Sequence, residues 1–173
     1  MKVVVRSASG LALALCSFLA FAEPSYGALP KKTHCKPDET IVFSCPSGTR
    51  IISVCASKNL SQTDGYIEYR YGKFKALEIN FPPLERRAQQ YVQARRLMFA
   101  KGGGVYLRFN NAPFSYNVYS AFVGGEGPKE GVLVQKNDRD ITRHQCTKPM
   151  YMTTINGLFD GKVLPDAPDD FVP

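Results

Sequence analysis

Paired runs of alternating apolar and polar residues, separated by turn residues, limit most strongly what this chain can fold into. A period of two places successive side chains on opposite faces of a β-strand. The paired runs cover residues 41–45 and 51–55, 66–71 and 76–81, 104–109 and 114–122, and 132–135 and 141–146. Eight strands in four sequential hairpins predict a mainly β domain: a single antiparallel eight-stranded barrel or sandwich.

One segment departs from this period. After Pro82 and Pro83, a spacing of three or four residues connects Leu84, Ala88, Tyr91, Arg95 and Met98. Proline is well tolerated at the start of a helix. The spacing therefore predicts one short helix at 84–99, packed over one end of the barrel.

The first 22 residues have the pattern of an export signal. Lys2 and Arg6 precede an apolar stretch at 11–21, and Ala20-Phe21-Ala22 fits a small-x-small cleavage site. An uncleaved anchor is the alternative, but the stretch is shorter than the roughly 20 residues of a membrane span. We expect a periplasmic or secreted protein that starts at Glu23, with no transmembrane segment after cleavage.

The remaining chain is long enough for one domain with its own core. Its composition, 44% hydrophobic and 12% aromatic, excludes disordered and collagen-like chains. We predict an N-terminal arm at 23–39, a β-domain at 40–146 that includes the helix, and an extended C-terminal tail at 147–173 that is mobile after Gly161.

Four cysteines remain after cleavage. An even number in an exported chain predicts two disulfides, and no CxxC or CxxH pair favours a zinc site instead. A hairpin turn at Ser47-Gly48 would place Cys55 on the order of 16 Å along the strand from the residue opposite Cys45, too far for a bridge. Two pairings remain, and we favour Cys45–Cys146 with Cys35–Cys55.

The chain is moderately basic. Its formal charge is +7, and loss of the two cations in the signal lowers it to +5. Basic and aromatic residues do not interleave in a nucleic-acid pattern, so we expect no nucleic-acid partner. A basic surface formed by Arg86, Arg87, Arg95 and Arg96 is the candidate for binding anionic envelope polymer or lipid, and an ordinary solvated helix face is the simpler reading.

No catalytic constellation is visible, and no cofactor or metal is implied. His34 and His144 lie outside any catalytic motif, and no GxSxG, HExxH or phosphate-binding loop occurs. Glu68 and Glu78 lie on the two strands of one hairpin, where a glycosidase could use a carboxylate pair. Cross-strand ion pairing is the simpler role for them. We expect a protein that is not an enzyme.

Two glycine-rich segments remain, at 101–104 and 124–127. Glycine allows a loop to approach another surface closely, although turn chemistry alone also explains it. We expect both segments at the same end of the domain, with Tyr106 and Tyr119 nearby.

The layout resembles the small periplasmic and membrane-bound lysozyme inhibitors. Residues 43–45 and 48–50 are similar to the family's opening hairpin, the 103–106 stretch Gly-Gly-Val-Tyr to part of its Ser-Gly-x-x-Tyr motif, and Cys146 to its last-strand cysteine. Gly102 replaces the motif serine, and no second family motif with Thr-Lys-Gly follows Tyr119. The resemblance implies a compact antiparallel β-barrel whose loop enters a lysozyme cleft.

The leading hypothesis is therefore an exported, non-enzymatic protein that inhibits a lysozyme-type cell-wall hydrolase. The expected partner-binding residues are Gly103, Gly104, Tyr106, Tyr119 and Gly125. The alternative is an envelope module that binds anionic polymer or lipid through the arginine-rich segment.

Overall fold

The computed structural model describes residues 32–83, 88–148, 152, 157–168, 171 and 173. These residues form nine β-strands and a single 3-10 turn at Ala88–Gln90. The strands are β1 (Glu39–Ser47), β2 (Arg50–Ser57), β3 (Ile67–Lys73), β4 (Ala76–Phe81), β5 (Val92–Phe99), β6 (Gly102–Asn111), β7 (Phe114–Val123), β8 (Gly127–Lys136) and β9 (Arg139–Gln145).

The strands form two antiparallel sheets in which every strand pairs with its neighbour in sequence. The first sheet has the order β1-β2-β3-β4 and the second the order β5-β6-β7-β8-β9. The mainly β, antiparallel prediction is correct. The structure shows two sheets of four and five strands rather than one closed eight-stranded barrel, and a sandwich describes them.

The main core lies between the two sheets. Alternate residues of most strands point into it, although β9 contributes none, and the largest are aromatic. The Tyr69 ring lies 5.1 Å from Tyr116 and 5.8 Å from Phe109, so side chains of both sheets interlock at the centre. Burying each ring contributes about 1.5–3 kcal/mol.

The helix predicted at 84–99 is wrong in the part that the structure describes. Residues 92–99 form β5, the edge strand of the second sheet, and residues 84–87 lie outside the described residues. Val92 and Ala94 point into the core between the sheets, whereas Leu97 packs into a second cluster on the outer face. The buried face thus changes along the strand. The spacing that predicts a helix runs instead through Arg95 and through Met98, which is 91% exposed, so it does not mark the buried residues.

Two disulfides connect Cys35 with Cys55 and Cys45 with Cys146, the pairing that the sequence analysis favours. The expected register was wrong by two residues, because Ser47 pairs with Arg50 and the turn is at 48–49. Cys45 faces Ile52, three residues from Cys55, which is about 10 Å along the strand and still too far for a bridge.

The two chain ends cover different surfaces. The described part of the arm, from residue 32, lies on the outer face of the first sheet, where the His34 amide donates to the Ser53 hydroxyl. The tail predicted at 147–173 to be extended, and mobile after Gly161, is packed where the structure describes it. Leu158, Phe159 and Leu164 enter the main core, and Phe171 enters the outer cluster of the second sheet.

Candidate binding surface

The two glycine-rich segments lie side by side at one end of the second sheet. Gly102 pairs with Val123, so the β5–β6 and β7–β8 turns are neighbours. A Cβ on Gly124 would lie 2.4 Å from the Lys101 carbonyl oxygen, which shows how closely the turns approach. This is the arrangement that the sequence analysis expects.

Gly104 and Gly125 are glycines for different reasons. A Cβ at Gly104 would lie 2.4 Å from the Ser120 carbonyl oxygen on the next strand, so only glycine fits this close approach. Gly125 is in the turn with a φ of +88°, a conformation that other residues rarely adopt, and no atom stands within 4 Å of its would-be Cβ. Gly125 is therefore open to solvent and Gly104 is structural.

An exposed apolar row crosses this end of the sheet on the face that elsewhere forms the core. Met98 pairs with Gly103, and Gly103 pairs with Phe122. Because Gly103 has no side chain, it leaves a notch between Met98, 91% exposed, and Phe122, 51% exposed. The notch opens into a groove of about 440 Å³, which we call the glycine groove; it is lined by Arg96, Leu97, Met98, Gly103, Gly104, Val105, Ser120, Ala121, Phe122 and Met152.

Tyr106 and Tyr119 are neighbours, but on the opposite face of the sheet from this row. They pair directly across β6 and β7, and both are almost completely buried. The Phe171 ring covers them at 4.6 Å and 5.4 Å, and the Tyr106 hydroxyl donates to the Pro168 carbonyl. The structure therefore does not bring Tyr106 and Gly103 together in one loop.

The four predicted surface arginines do not form one described surface. Arg95 donates to the Ala167 carbonyl oxygen at 2.9 Å and so binds the tail. Arg96 is exposed and lines the glycine groove. Arg86 and Arg87 lie outside the described residues.

The carboxylates considered for catalysis are held apart by different arginines. Glu78 is exposed and accepts two hydrogen bonds of 2.9 Å from Arg50. Glu68 is buried and accepts from Arg70. Each carboxylate therefore takes part in an ion pair of its own, but neither is the pair expected across the β3–β4 hairpin: Arg70 lies on the same strand as Glu68, and Arg50 lies on β2, two strands from Glu78.

The histidines also have structural contacts. The His34 ring lies 3.1 Å from the Gly72 carbonyl oxygen, and the His144 ring packs 5.0 Å from Tyr71. His144 comes from the second sheet and Tyr71 from the first, so this contact holds the sheets together. The Tyr71 hydroxyl also lies 3.4 Å from His144 Nδ1.

A buried ion cluster on the outer face of the first sheet was not foreseen. Arg70 donates to both Glu39 and Glu68, and the three side chains are at most 4% exposed. Burial acts to raise the pKa of Glu39, but hydrogen bonds from Arg70, the Lys36 amide and Tyr66 outweigh it and hold this pKa below its ordinary value. Period-two alternation predicts that Glu68 and Arg70 lie on the same face of β3. It does not predict that the N-terminal arm covers this face.

The same region contains the one group of described residues whose metal-ligating atoms lie close enough to share an ion. It consists of Cys35, Glu39 and Cys55. Both sulfurs are joined in a disulfide, so neither can act as a thiolate ligand. The group therefore does not fit a metal.

Within the described residues, no helix has the length and apolar character that a membrane crossing requires. The two disulfides indicate folding in an oxidising compartment, which favours export. Comparisons of the chain with protein-family models, with curated proteins and with solved structures found no match.

Proposed function

We propose that this protein is an exported, non-enzymatic binding protein that engages a partner protein through the glycine groove. The observation that carries the proposal is the Met98–Gly103–Phe122 row, two exposed apolar side chains on either side of a notch. Exposed apolar surface next to a concave site is typical of protein interfaces.

The resemblance to lysozyme inhibitors makes a lysozyme-type cell-wall hydrolase the partner that we propose. The β7–β8 turn, with Gly125 at its open tip, is the loop that would enter the enzyme's cleft. Gly103 and Gly104 would contribute the notch behind it. Since the mature chain carries a charge of +5, the target should be neutral or acidic.

The buried position of Tyr106 and Tyr119 changes their proposed role. Both side chains are covered by Phe171, so in this conformation they support the sheet behind the groove and do not face a partner. The direct contacts are assigned to Met98, Phe122 and the turn around Gly125.

Capture of a panel of muramidases by the purified, oxidised protein tests the proposal. The capture should survive about 1 M salt, where the Debye length is only roughly 3 Å, because the contact is apolar. Phe122→Ser should weaken it by about 2 kcal/mol, roughly thirtyfold. Leu77→Ser is the matched control. The exposed fraction of Leu77, 48%, is similar to the 51% of Phe122, but Leu77 lies on the first sheet.

Substitution of Gly103 is not a clean test. A Cβ there would lie 2.8 Å from the Leu97 carbonyl oxygen, so the variant would also disturb the strand pairing. Equal capture by F122S and L77S would contradict the proposed surface. Capture of polymer or lipid alone, lost at high salt, would instead support the arginine-rich alternative.

A further inference from the structure

We propose that the outer face of the second sheet, along β5 and over Tyr106, is a second binding groove for an extended peptide of a partner protein. Residues 165–168 and 171 of this chain occupy it as an intramolecular stand-in. We call it the tail groove. It lies on the opposite face from the glycine groove and does not depend on the function proposed above.

The tail binds the edge of the sheet as an added strand. The Ala94 amide donates to the Pro165 carbonyl oxygen at 3.0 Å, and the Ala167 amide donates to the Ala94 carbonyl oxygen at 3.1 Å. Ala94 and Asp166 form a parallel bridge. An edge strand offers these groups to any extended chain, which is how peptides bind by strand addition.

Three side chains of the sheet then bind three successive carbonyl oxygens of the tail. Gln93 donates to Asp166, Arg95 to Ala167 at 2.9 Å, and the Tyr106 hydroxyl to Pro168. These contacts, like the strand pairing, involve only the main chain of the tail. The groove therefore recognises an extended backbone. Pro165 and Pro168 favour that conformation without adding side-chain specificity.

Two described side chains of the tail, Ala167 and Phe171, are buried in the outer cluster, and Phe171 is the larger. Phe171 is 8% exposed and lies against Tyr106 and Tyr119 with ring centroids 4.6 Å and 5.4 Å away. The guanidinium of Arg143 lies 5.5 Å above the Tyr119 ring. An aromatic ring is thus the anchor that this pocket selects.

The tail leaves one buried hydrogen-bonding position unfilled. Asp140 accepts from the Gln135 amide nitrogen, so the Gln135 oxygen faces Asn117 and accepts from its Nδ2. This fixes the Asn117 amide with Oδ1 on the other side. Asn117 is 1% exposed, and among the described residues its Oδ1 is one of two buried side-chain oxygens without a hydrogen-bond partner.

The unfilled acceptor shows what a better occupant would carry. Asn117, Phe171 and Pro173 line one cavity of about 310 Å³ beside Arg108 and Arg143. A buried acceptor without a donor is unfavourable, and a neutral donor side chain just beyond the aromatic anchor would satisfy it. The partner peptide is therefore extended, aromatic at the anchor position, and followed by an amide or hydroxyl side chain.

A labelled synthetic peptide with the sequence of residues 163–173 tests the groove on the full chain. The wild-type protein should bind it weakly, because its own tail competes at an effective concentration of roughly millimolar. Phe171→Ala in the protein removes the competing anchor, so the affinity for the peptide should rise at least about tenfold. Phe74→Ala, an exposed aromatic on the first sheet, is the matched control and should behave as wild type.

Two variations separate recognition from non-specific adhesion. A peptide with Phe171→Ala should not bind, and a peptide with Pro173→Asn should bind the F171A protein several-fold more tightly than the unmodified peptide. That gain should disappear when the protein also carries Asn117→Leu. The Ala94 amide donates to the tail, so its hydrogen exchange should be faster in F171A than in the wild type and should slow again when the peptide is added. This readout does not depend on the measured affinity.

Other outcomes overturn the proposal. If F171A keeps the far-UV circular dichroism of the wild type but binds no peptide, the tail is only a structural part of the domain. If the peptide binds all variants equally, the contact is non-specific. If F171A forms a mixed dimer with the wild-type protein, and the peptide dissociates this dimer, the natural occupant of the tail groove is the tail of a second copy.

Discussion

Replacing Arg70 by methionine should strongly destabilise the protein. Arg70 makes five hydrogen bonds, two to each of the Glu39 and Glu68 carboxylates and one to the His34 carbonyl oxygen. Methionine fills much of the same volume but has no charge. Two buried carboxylates would then remain without a cation.

The magnitude follows from burial. The side chains of Glu39 and Glu68 are 0% and 1% exposed, so water cannot replace the guanidinium. Removing one partner of a buried ion pair typically costs about 3–5 kcal/mol. For a chain of this length, that loss lowers the Tm by roughly 10 °C.

The pH dependence is the sharper part of the prediction. In the wild type the folded-state pKa of Glu39 is lowered, so its stabilisation is fully present above the unfolded pKa of about 4.3 and is lost as the pH falls below it. In R70M Glu39 loses the hydrogen bonds and charge of Arg70 that lower its pKa and keeps the burial that raises it, so the folded variant loses less stability as the pH falls. The difference in unfolding free energy should therefore be largest near pH 7.5 and at least halve by about pH 4.

Urea unfolding followed by far-UV circular dichroism, with the disulfides intact, measures both proteins at the two pH values. The sequence has no tryptophan, so intrinsic fluorescence would report only tyrosine. Arg50→Met is the control, since Arg50 also pairs with a glutamate but at an exposed site. A difference between wild type and R70M that is the same at both pH values would refute the reasoning about buried carboxylates.

Three further predictions concern the frame of the fold. Replacing both cysteines of the Cys45–Cys146 bridge, which are 101 residues apart, should lower the unfolding free energy by about 4–5 kcal/mol. Replacing those of the Cys35–Cys55 bridge, 20 residues apart, should lower it by about 3 kcal/mol. Equal losses in urea unfolding would contradict the dependence on loop length. Gly131→Ala places a Cβ 2.2 Å from the His144 carbonyl oxygen at a φ of +154°, so we expect a loss of about 1–3 kcal/mol, and an unchanged Tm would show that the strands adjust. Phe109→Ala removes a ring from the centre of the core and should cost about 3–5 kcal/mol, measured by the same assay, whereas a loss below about 1 kcal/mol would mean that the core refills the space.

Local sequence patterns predicted the hairpins well because each consists of two runs with strand-type residues and a turn with its own chemistry. The four predicted hairpins correspond to the pairs β1–β2, β3–β4, β6–β7 and β8–β9. The one described strand that was not predicted is β5, which was mistaken for a helix. Neither of its faces is buried along its whole length. That burial depends on which distant segments cover the strand, and a short window of sequence does not contain this information.

The candidate site was foreseen only in part, for a similar reason. Gly103 and Gly125 lie at the predicted end of the sheet, because hairpin connectivity places their turns together. Tyr106 was assigned to the same loop, but an offset of three residues along a strand moves a side chain to the opposite face. Phe122 and Met98 were missed as contacts, since their exposure follows from the extent of the sheets and not from their own residue type.

The two sheets differ in which of their surfaces the chain itself covers, and under the proposals above they would have different roles. The outer face of the first sheet is closed by the arm, the Cys35–Cys55 bridge and the Arg70 ion cluster, all of which tie the sheet to its own chain. The second sheet has one strand more, leaves the Met98–Gly103–Phe122 row uncovered at its glycine-rich end, and holds its own tail on the other face. A surface scan that scores folding and binding separately should therefore find binding defects on the second sheet and stability defects alone on the first. Binding defects that map to exposed residues of β4, such as Leu77, would reverse this assignment.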